Sequence, residues 1–247
     1  MRRFIHGSST KPGDSIGGFE SGLTTRAPGS KLNLLVLRAS ILNIIDIAQL
    51  QPVVPVLTIR EIEHAVPIAR ALVTGGLRVL EITLRTPVAF EALAAIRKEV
   101  PEAIVGAGTL TRAAEFAAAG RARAHFGITP GMTADLQAAA RGAVFPVLPG
   151  VMTPSEVIMA RQAGFEVLNL FPAVPAGGIE LLRALAGPFP EMLFCATGGI
   201  TRATAADFLA LPNVACVFGS WFAPAEMVRE SDWHAIEALA RDAASLR

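Results

Sequence analysis

A (β/α)8 barrel is the fold this sequence predicts, and three observations predict it. Short apolar runs recur eight times from residue 53 onward, Ala-rich segments with helical spacing separate them, and several runs end in Gly, Thr or Pro. Continuous apolar runs bounded by turn residues fit strands buried on both faces, and strict strand–helix alternation over roughly 200 residues fits a closed parallel barrel. A doubly wound sheet is the competing architecture, but no GxGxxG follows the first run.

The runs are VVPVL (53–57), RVLEITL (78–84), AIVGAG (103–108), AHFGIT (124–129), VFPVL (144–148), EVLNLF (166–171), MLFCAT (192–197) and VACVF (214–218). Between them, IEHAVPIARALVTGG and AAEFAAAGRA carry helical spacing. VMTPSEVIMARQAG carries helix punctuation as well: Thr153 as N-cap, Pro154 at the first helical position, Glu156 closing a capping box and Gly164 after the end. Ahead of the barrel, residues 32–50 are apolar but interrupted by Arg38, Asn43 and Asp46, which predicts a core-packed capping helix and no transmembrane span. Residues 1–31 read as a separate extension, disordered or upstream of the true start, because 7–31 are rich in Gly, Ser, Thr and Pro. Arg2, Arg3 and Arg26 would suit a transit peptide, and Asp14 and Glu20 argue against one.

Composition narrows the function. With 52% apolar and 17% charged residues, 247 residues suffice for one large core, and a formal charge of +1 gives no electrostatic case for nucleic acid or an anionic membrane. Cys195 and Cys216 fall near the ends of consecutive strands and read as buried free thiols of a cytoplasmic protein rather than a bridge. His6, His64, His125 and His234 show no ligand spacing, so no metal is expected; His64 reads as a helix residue and His125 as a core one. Lysine is scarce: Lys11 and Lys31 lie in the N-terminal extension and Lys98 at the solvent-facing end of a helix.

Polar residues gather where barrel function gathers, at the C-terminal ends of strands. The second strand sets Val79, Glu81, Thr83 and Arg85 on one face. That is costly unless the polar groups meet one another, as a Glu81–Arg85 pair, or meet a ligand, as an acid/base beside a carboxylate-binding arginine. The third strand ends in GAGT with Thr109, and the fourth in ITPG with Pro130. The seventh ends ATGGIT and the eighth FGSW, so Thr197, Gly198, Gly199, Gly219 and Ser220 offer hydroxyls and backbone N–H groups where barrels commonly bind phosphate. In the sixth strand, Asn169 interrupts an apolar face shared with Val167 and Phe171.

Together EHAVPIARALVTGGLRVLEITLRT, PEAIVGAGT, ITPG, LPGVMTPSE, LFPA, AGPFPEMLFCATGG and FGSW closely resemble the 2-dehydro-3-deoxy-phosphogluconate / 4-hydroxy-2-oxoglutarate (KDPG/KHG) aldolases, in order over residues 52–246. The resemblance implies a class I lyase of the Entner–Doudoroff type, cytoplasmic, homotrimeric and without metal or organic cofactor. Its reaction would split 2-dehydro-3-deoxy-6-phosphogluconate into pyruvate and glyceraldehyde 3-phosphate, or 4-hydroxy-2-oxoglutarate into pyruvate and glyoxylate. By position, the resemblance makes Glu81 the proton shuttle and Arg85 the pyruvate-carboxylate partner. Thr109, Pro130 and Phe171 would line the pyruvate pocket, and Thr197, Gly198, Gly199, Gly219 and Ser220 would hold the phosphate.

Four positions depart from the pattern, Asn169 most consequentially. The family's sixth strand carries its Schiff-base lysine in K-[FL]-F-P-A-E, and here N-L-F-P-A-V runs from Asn169 to Val174. Ala196 stands in place of a proline and Phe218 in place of a glycine, where it would crowd the phosphate loop. An amide is neither nucleophile nor base, so the resemblance implies a severely slowed aldolase. Two other readings stand beside it: a binding protein for keto-acid phosphates without turnover, and a different phosphate-binding barrel enzyme using Glu81 alone. A one-base change at the codon would also convert Lys to Asn.

Overall fold

The computed structural model describes residues 43–246. Its strands are β1 (Val53–Leu57), β2 (Val79–Thr83), β3 (Ile104–Gly108), β4 (Phe126–Ile128), β5 (Val147–Leu148), β6 (Gly150–Val151), β7 (Val167–Leu170), β8 (Leu193–Thr197) and β9 (Val214–Gly219). All pair in parallel, in the order β5-β4-β3-β2-β1-β9-β8-β7-β6.

β5 and β6 are one stave interrupted at Pro149, which has no N–H to give a ladder. That stave accepts from Gly127 N and Thr129 N through Pro146 O and Leu148 O. On its other side it accepts from Asn169 N and Phe171 N through Pro149 O and Val151 O, which closes the sheet. Eight staves therefore form the predicted barrel. The fifth is displaced from the expected 144–148: Val144 is 87% exposed, and the stave runs from Val147 to Val151.

Helices α2 (Ala65–Thr74), α3 (Ala89–Glu99), α4 (Ala113–Arg121), α5 (Ala134–Arg141), α6 (Pro154–Gln162), α7 (Gly178–Ala186), α8 (Ala205–Leu209), α9 (Ala225–Arg229) and α10 (Trp233–Ala244) follow the staves. Alternation splits the apolar side chains into two cores. Leu80, Ile82, Leu168 and Leu170 point outward to meet Leu72, Leu93 and Leu182 of the helices. Val54, Val79, Ile104, Phe126, Leu148 and Val167 fill the interior. Ile47 and Ala48 of α1 (Ile44–Gln49) join that interior where the strands begin, as the expected capping helix should. The rest of the helix expected over 32–50, and the 1–31 extension, lie outside the described residues.

Several local readings are refined. α6 has the full capping box, Thr153 accepting from Glu156 N and Glu156 accepting from Thr153 N, with Pro154 at its start and Gly164 at φ +90° after it. His64 sits in a short 3-10 turn (Ile62–His64) before α2. His125, just before β4, is half-buried rather than core, and its Nδ1 accepts from Val105 N. Cys195 and Cys216 are mid-strand rather than terminal; they are register neighbours, fully buried, with Sγ atoms 3.4 Å apart and no bridge. No helix among the described residues is long and apolar enough to cross a membrane.

Candidate active site

Burying Glu81 inside a barrel needs space and a reason. Glu81 is 4% exposed, and its carboxylate lies over Gly108 of the neighbouring β3, where any Cβ would collide with it. Burial pushes its carboxyl up to about 7, and the positive charge of Arg85 pulls it partly back. Oε2 is buried and has no hydrogen-bond partner. The alternative of an internal Glu81–Arg85 ion pair is not formed, since Arg85 lies beyond the end of β2 and is exposed. Thr83 of the same face is occupied otherwise, donating to Leu57 O (3.2 Å) and meeting the Thr58 hydroxyl at 3.0 Å.

Asn169 is 2% exposed and leans across the fifth stave, where its Nδ2 donates to Thr129 O of the β4 end at 3.1 Å. That bond fixes the amide's orientation, because only the nitrogen can donate to a carbonyl. The side chain therefore presents Oδ1 inward, buried and without a partner. Register explains how two distant staves converge. β3 and β4 pair Gly106 with Phe126, which brings Gly108 level with Ile128, next to Thr129. Glu81 reaches this β3–β4 wall from one side and Asn169 from the other. Thr109, with φ +64°, and Pro130 continue the same wall.

The remaining candidates form a second group. The Phe171–Pro172 peptide is cis, and Phe171 packs on Gly198. Ala173 N and Val174 N donate to Thr197 O and Gly198 O at 2.7 and 3.0 Å, stapling the loops after β7 and β8. Gly198 and Gly199 have φ of +102° and +81°, which favours glycine at both. Thr197 Oγ1 is buried without a partner. Gly219 is covered by the Trp221 ring, and Ser220 is exposed. Phe218 does not crowd the loop at Gly219 and Ser220 as expected: it points into the interior and is 4% exposed, among Val54 and Cys216. Among the described residues no three His, Cys, Asp or Glu are grouped to hold a metal ion.

The sequence and the barrel both match known proteins closely. The sequence pattern of the KDPG and KHG aldolase family matches residues 44–239. The chain belongs to the KDPG and KHG aldolase family. It is 48% identical over 192 residues to the KHG/KDPG aldolase of Escherichia coli (strain K12), covering 78% of this chain and 90% of that one. It is 46% identical over 198 residues to the 2-dehydro-3-deoxy-phosphogluconate aldolase of Pseudoalteromonas atlantica, covering 80% and 92%. The Legionella pneumophila KDPG aldolase, solved with pyruvate captured as a covalent carbinolamine, superposes with a TM-score of 0.79 at 41% identity, covering 81% of this chain and 98% of that one. The Zymomonas mobilis ZM4 enzyme with 3-phosphoglycerate gives 0.78 at 44% identity, covering 83% and 96%.

Sequence reasoning missed three contributors to this KDPG/KHG aldolase barrel. Thr129 is fully buried and holds Asn169 through its carbonyl, while its hydroxyl accepts from Gly150 N at 3.0 Å. A threonine directly after an apolar strand, between Ile128 and Pro130, was the available signal. Gly108 gives the Glu81 carboxylate its space, whereas glycine there reads from sequence as a turn. Gln51 is the third. It is buried below the barrel, donates to Val53 O and Val79 O, and accepts from Arg78 N and Val79 N, tying β1 to β2.

Proposed function

We propose that this chain retains the ligand-binding frame of a KDPG/KHG aldolase but cleaves 2-dehydro-3-deoxy-6-phosphogluconate or 4-hydroxy-2-oxoglutarate very slowly, because Asn169 occupies the position of the Schiff-base lysine. In this reading Glu81 shuttles protons and Arg85 holds the pyruvate carboxylate. Thr109, Pro130 and Phe171 line the pyruvate pocket, and Thr197, Gly198, Gly199, Gly219 and Ser220 hold the phosphate.

The observation that carries the reading is the chemistry of Asn169. A carbinolamine, such as the one captured in the Legionella relative, forms only from an amine and a carbonyl. The Asn169 nitrogen is an amide whose lone pair is delocalised into its carbonyl, and it is already committed to Thr129 O. Among the described residues the one lysine, Lys98, is exposed in the last turn of α3 on the helical shell. Without an iminium, the electrons of the breaking C–C bond have no covalent sink. Glu81 remains suited to proton transfer, since a carboxyl titrating near 7 both gives and takes a proton at neutral pH.

The assembly we infer is a homotrimer. Met152, Ile158 and Met159, clustered at and just before α6, are 40–53% exposed and give such an assembly an apolar face. A cytoplasmic setting agrees with the two buried, unbridged thiols.

The test is a coupled pyruvate-release assay on the chain and on Asn169→Lys. The reading expects the lysine variant to be faster by on the order of a thousandfold or more, a gap of about 4 kcal/mol in barrier. Equal rates would reject it. Binding of pyruvate by both proteins with release by neither would instead favour a binding protein.

A further inference from the structure

A cavity of about 520 Å3 opens over the ends of β1 and β9 and meets the candidate site at Ser220. Val56 lines it and is the register neighbour of Glu81, so the cavity begins one stave away from the candidate acid/base. Its polar lining comes from Thr58, Arg60, Glu61, His64, Ser220 and Arg229.

Several of those groups have a charged or hydroxyl neighbour. Glu61 faces His64 at 3.5 Å, and Arg229 faces Glu226 at 3.7 Å. Thr83 gives its one hydroxyl proton to Leu57 O, so in the Thr58–Thr83 contact Thr58 is the donor and its proton is spent too. Two have no such neighbour: neither the Ser220 hydroxyl nor the Arg60 guanidinium has a hydrogen bond or ion pair among the described residues. A planar cation and a hydroxyl donor facing one cavity suit a phosphate monoester, whose oxygens accept two parallel N–H bonds from arginine and one more from the hydroxyl.

We propose that this cavity receives the phosphate-bearing arm of the substrate, and that Arg60 is a phosphate-binding residue acting with Ser220. The inference rests on the reading above that Ser220 belongs to the phosphate site. A ligand with its 2-oxo acid at Glu81 and its phosphate on Arg60 then lies across β1. Arg60 selects phosphorylated substrates from unphosphorylated ones without touching the reacting carbon.

Calorimetric titration tests this on the chain as it exists, needing no turnover. The probes are 3-phosphoglycerate, glycerate and pyruvate, and the proteins are the wild type, Arg60→Gln, Arg60→Lys and Ser220→Ala. Arg60→Gln should weaken 3-phosphoglycerate binding by about tenfold or more while leaving glycerate and pyruvate unchanged, and Arg60→Lys should recover part of the loss. Unchanged thermal unfolding of Arg60→Gln is expected, because the side chain holds no partner to lose. If Ser220→Ala weakens 3-phosphoglycerate and Arg60→Gln does not, the role of Arg60 is rejected while the phosphate loops stand. If the wild type shows no preference for 3-phosphoglycerate over glycerate, both fail.

Discussion

At the scale of the residue, Glu81 and Asn169 define the site by what they lack. Each is a buried acceptor with an oxygen that finds no donor, and such groups are costly unless a proton or a ligand completes them. For Glu81 the proton does so. Its carboxyl, moved from the ordinary 4.5 to about 7 chiefly by burial, keeps a proton that the unfolded chain has already lost. The folded state therefore loses stability as pH rises from about 4.5 through about 7, by up to the order of 3 kcal/mol. Glu81→Gln removes that titration. Urea unfolding at about pH 5 and about pH 8 should show a smaller loss of stability in the variant than in the wild type. An identical loss in both would mean that the carboxyl is not held protonated. A second prediction concerns the space beside it. Gly108→Ala places a methyl against the carboxylate and should destabilise the chain by about 1–3 kcal/mol, with Glu81→Gln failing to restore it because the amide occupies the same volume.

At the scale of the element, strands and helices were legible wherever apolar spacing and punctuation agreed. α6 carries its own signals from Thr153 to Gly164 and sits where they place it. The fifth stave lies about three residues beyond the VFPVL run, because both VFPVL and VLPGV are apolar segments centred on a proline and composition alone does not choose between them. Long-range partners left no trace. Nothing in the sequence near Gln51 announces that one amide serves Val53, Arg78 and Val79. Gln51→Leu strands those buried backbone groups and should cost about 3 kcal/mol or more in urea-unfolding free energy, whereas an exposed site such as Glu63→Gln should be near neutral. A near-zero cost for Gln51→Leu would show that solvent reaches these groups.

At the scale of the whole molecule, barrel closure is what gathers the site. β7, β8 and β9 are direct neighbours, but residues of β2 and β7 face one another across the interior because the fifth stave joins β4 to β7. The side of each strand on which Glu81 and Asn169 lie followed from period-2 alternation. The convergence of both on the β3–β4 wall did not, since it depends on the register between staves rather than on either strand. The apolar cluster at Met152, Ile158 and Met159 predicts self-association on the α6 face. Sedimentation velocity should show a trimer, and Met159→Glu, which puts a charge on a position 53% exposed in the single chain, should shift it toward monomer without unfolding. A monomer in the wild type would contradict that assembly.

The most direct measurement is borohydride reduction in the presence of pyruvate, read by intact mass and peptide mapping. The chain as it stands should keep its unmodified mass, and Asn169→Lys should gain one reduced pyruvyl group located at residue 169. A reduced adduct on the wild-type chain would contradict the account, because it would reveal an amine in the barrel that these residues do not provide.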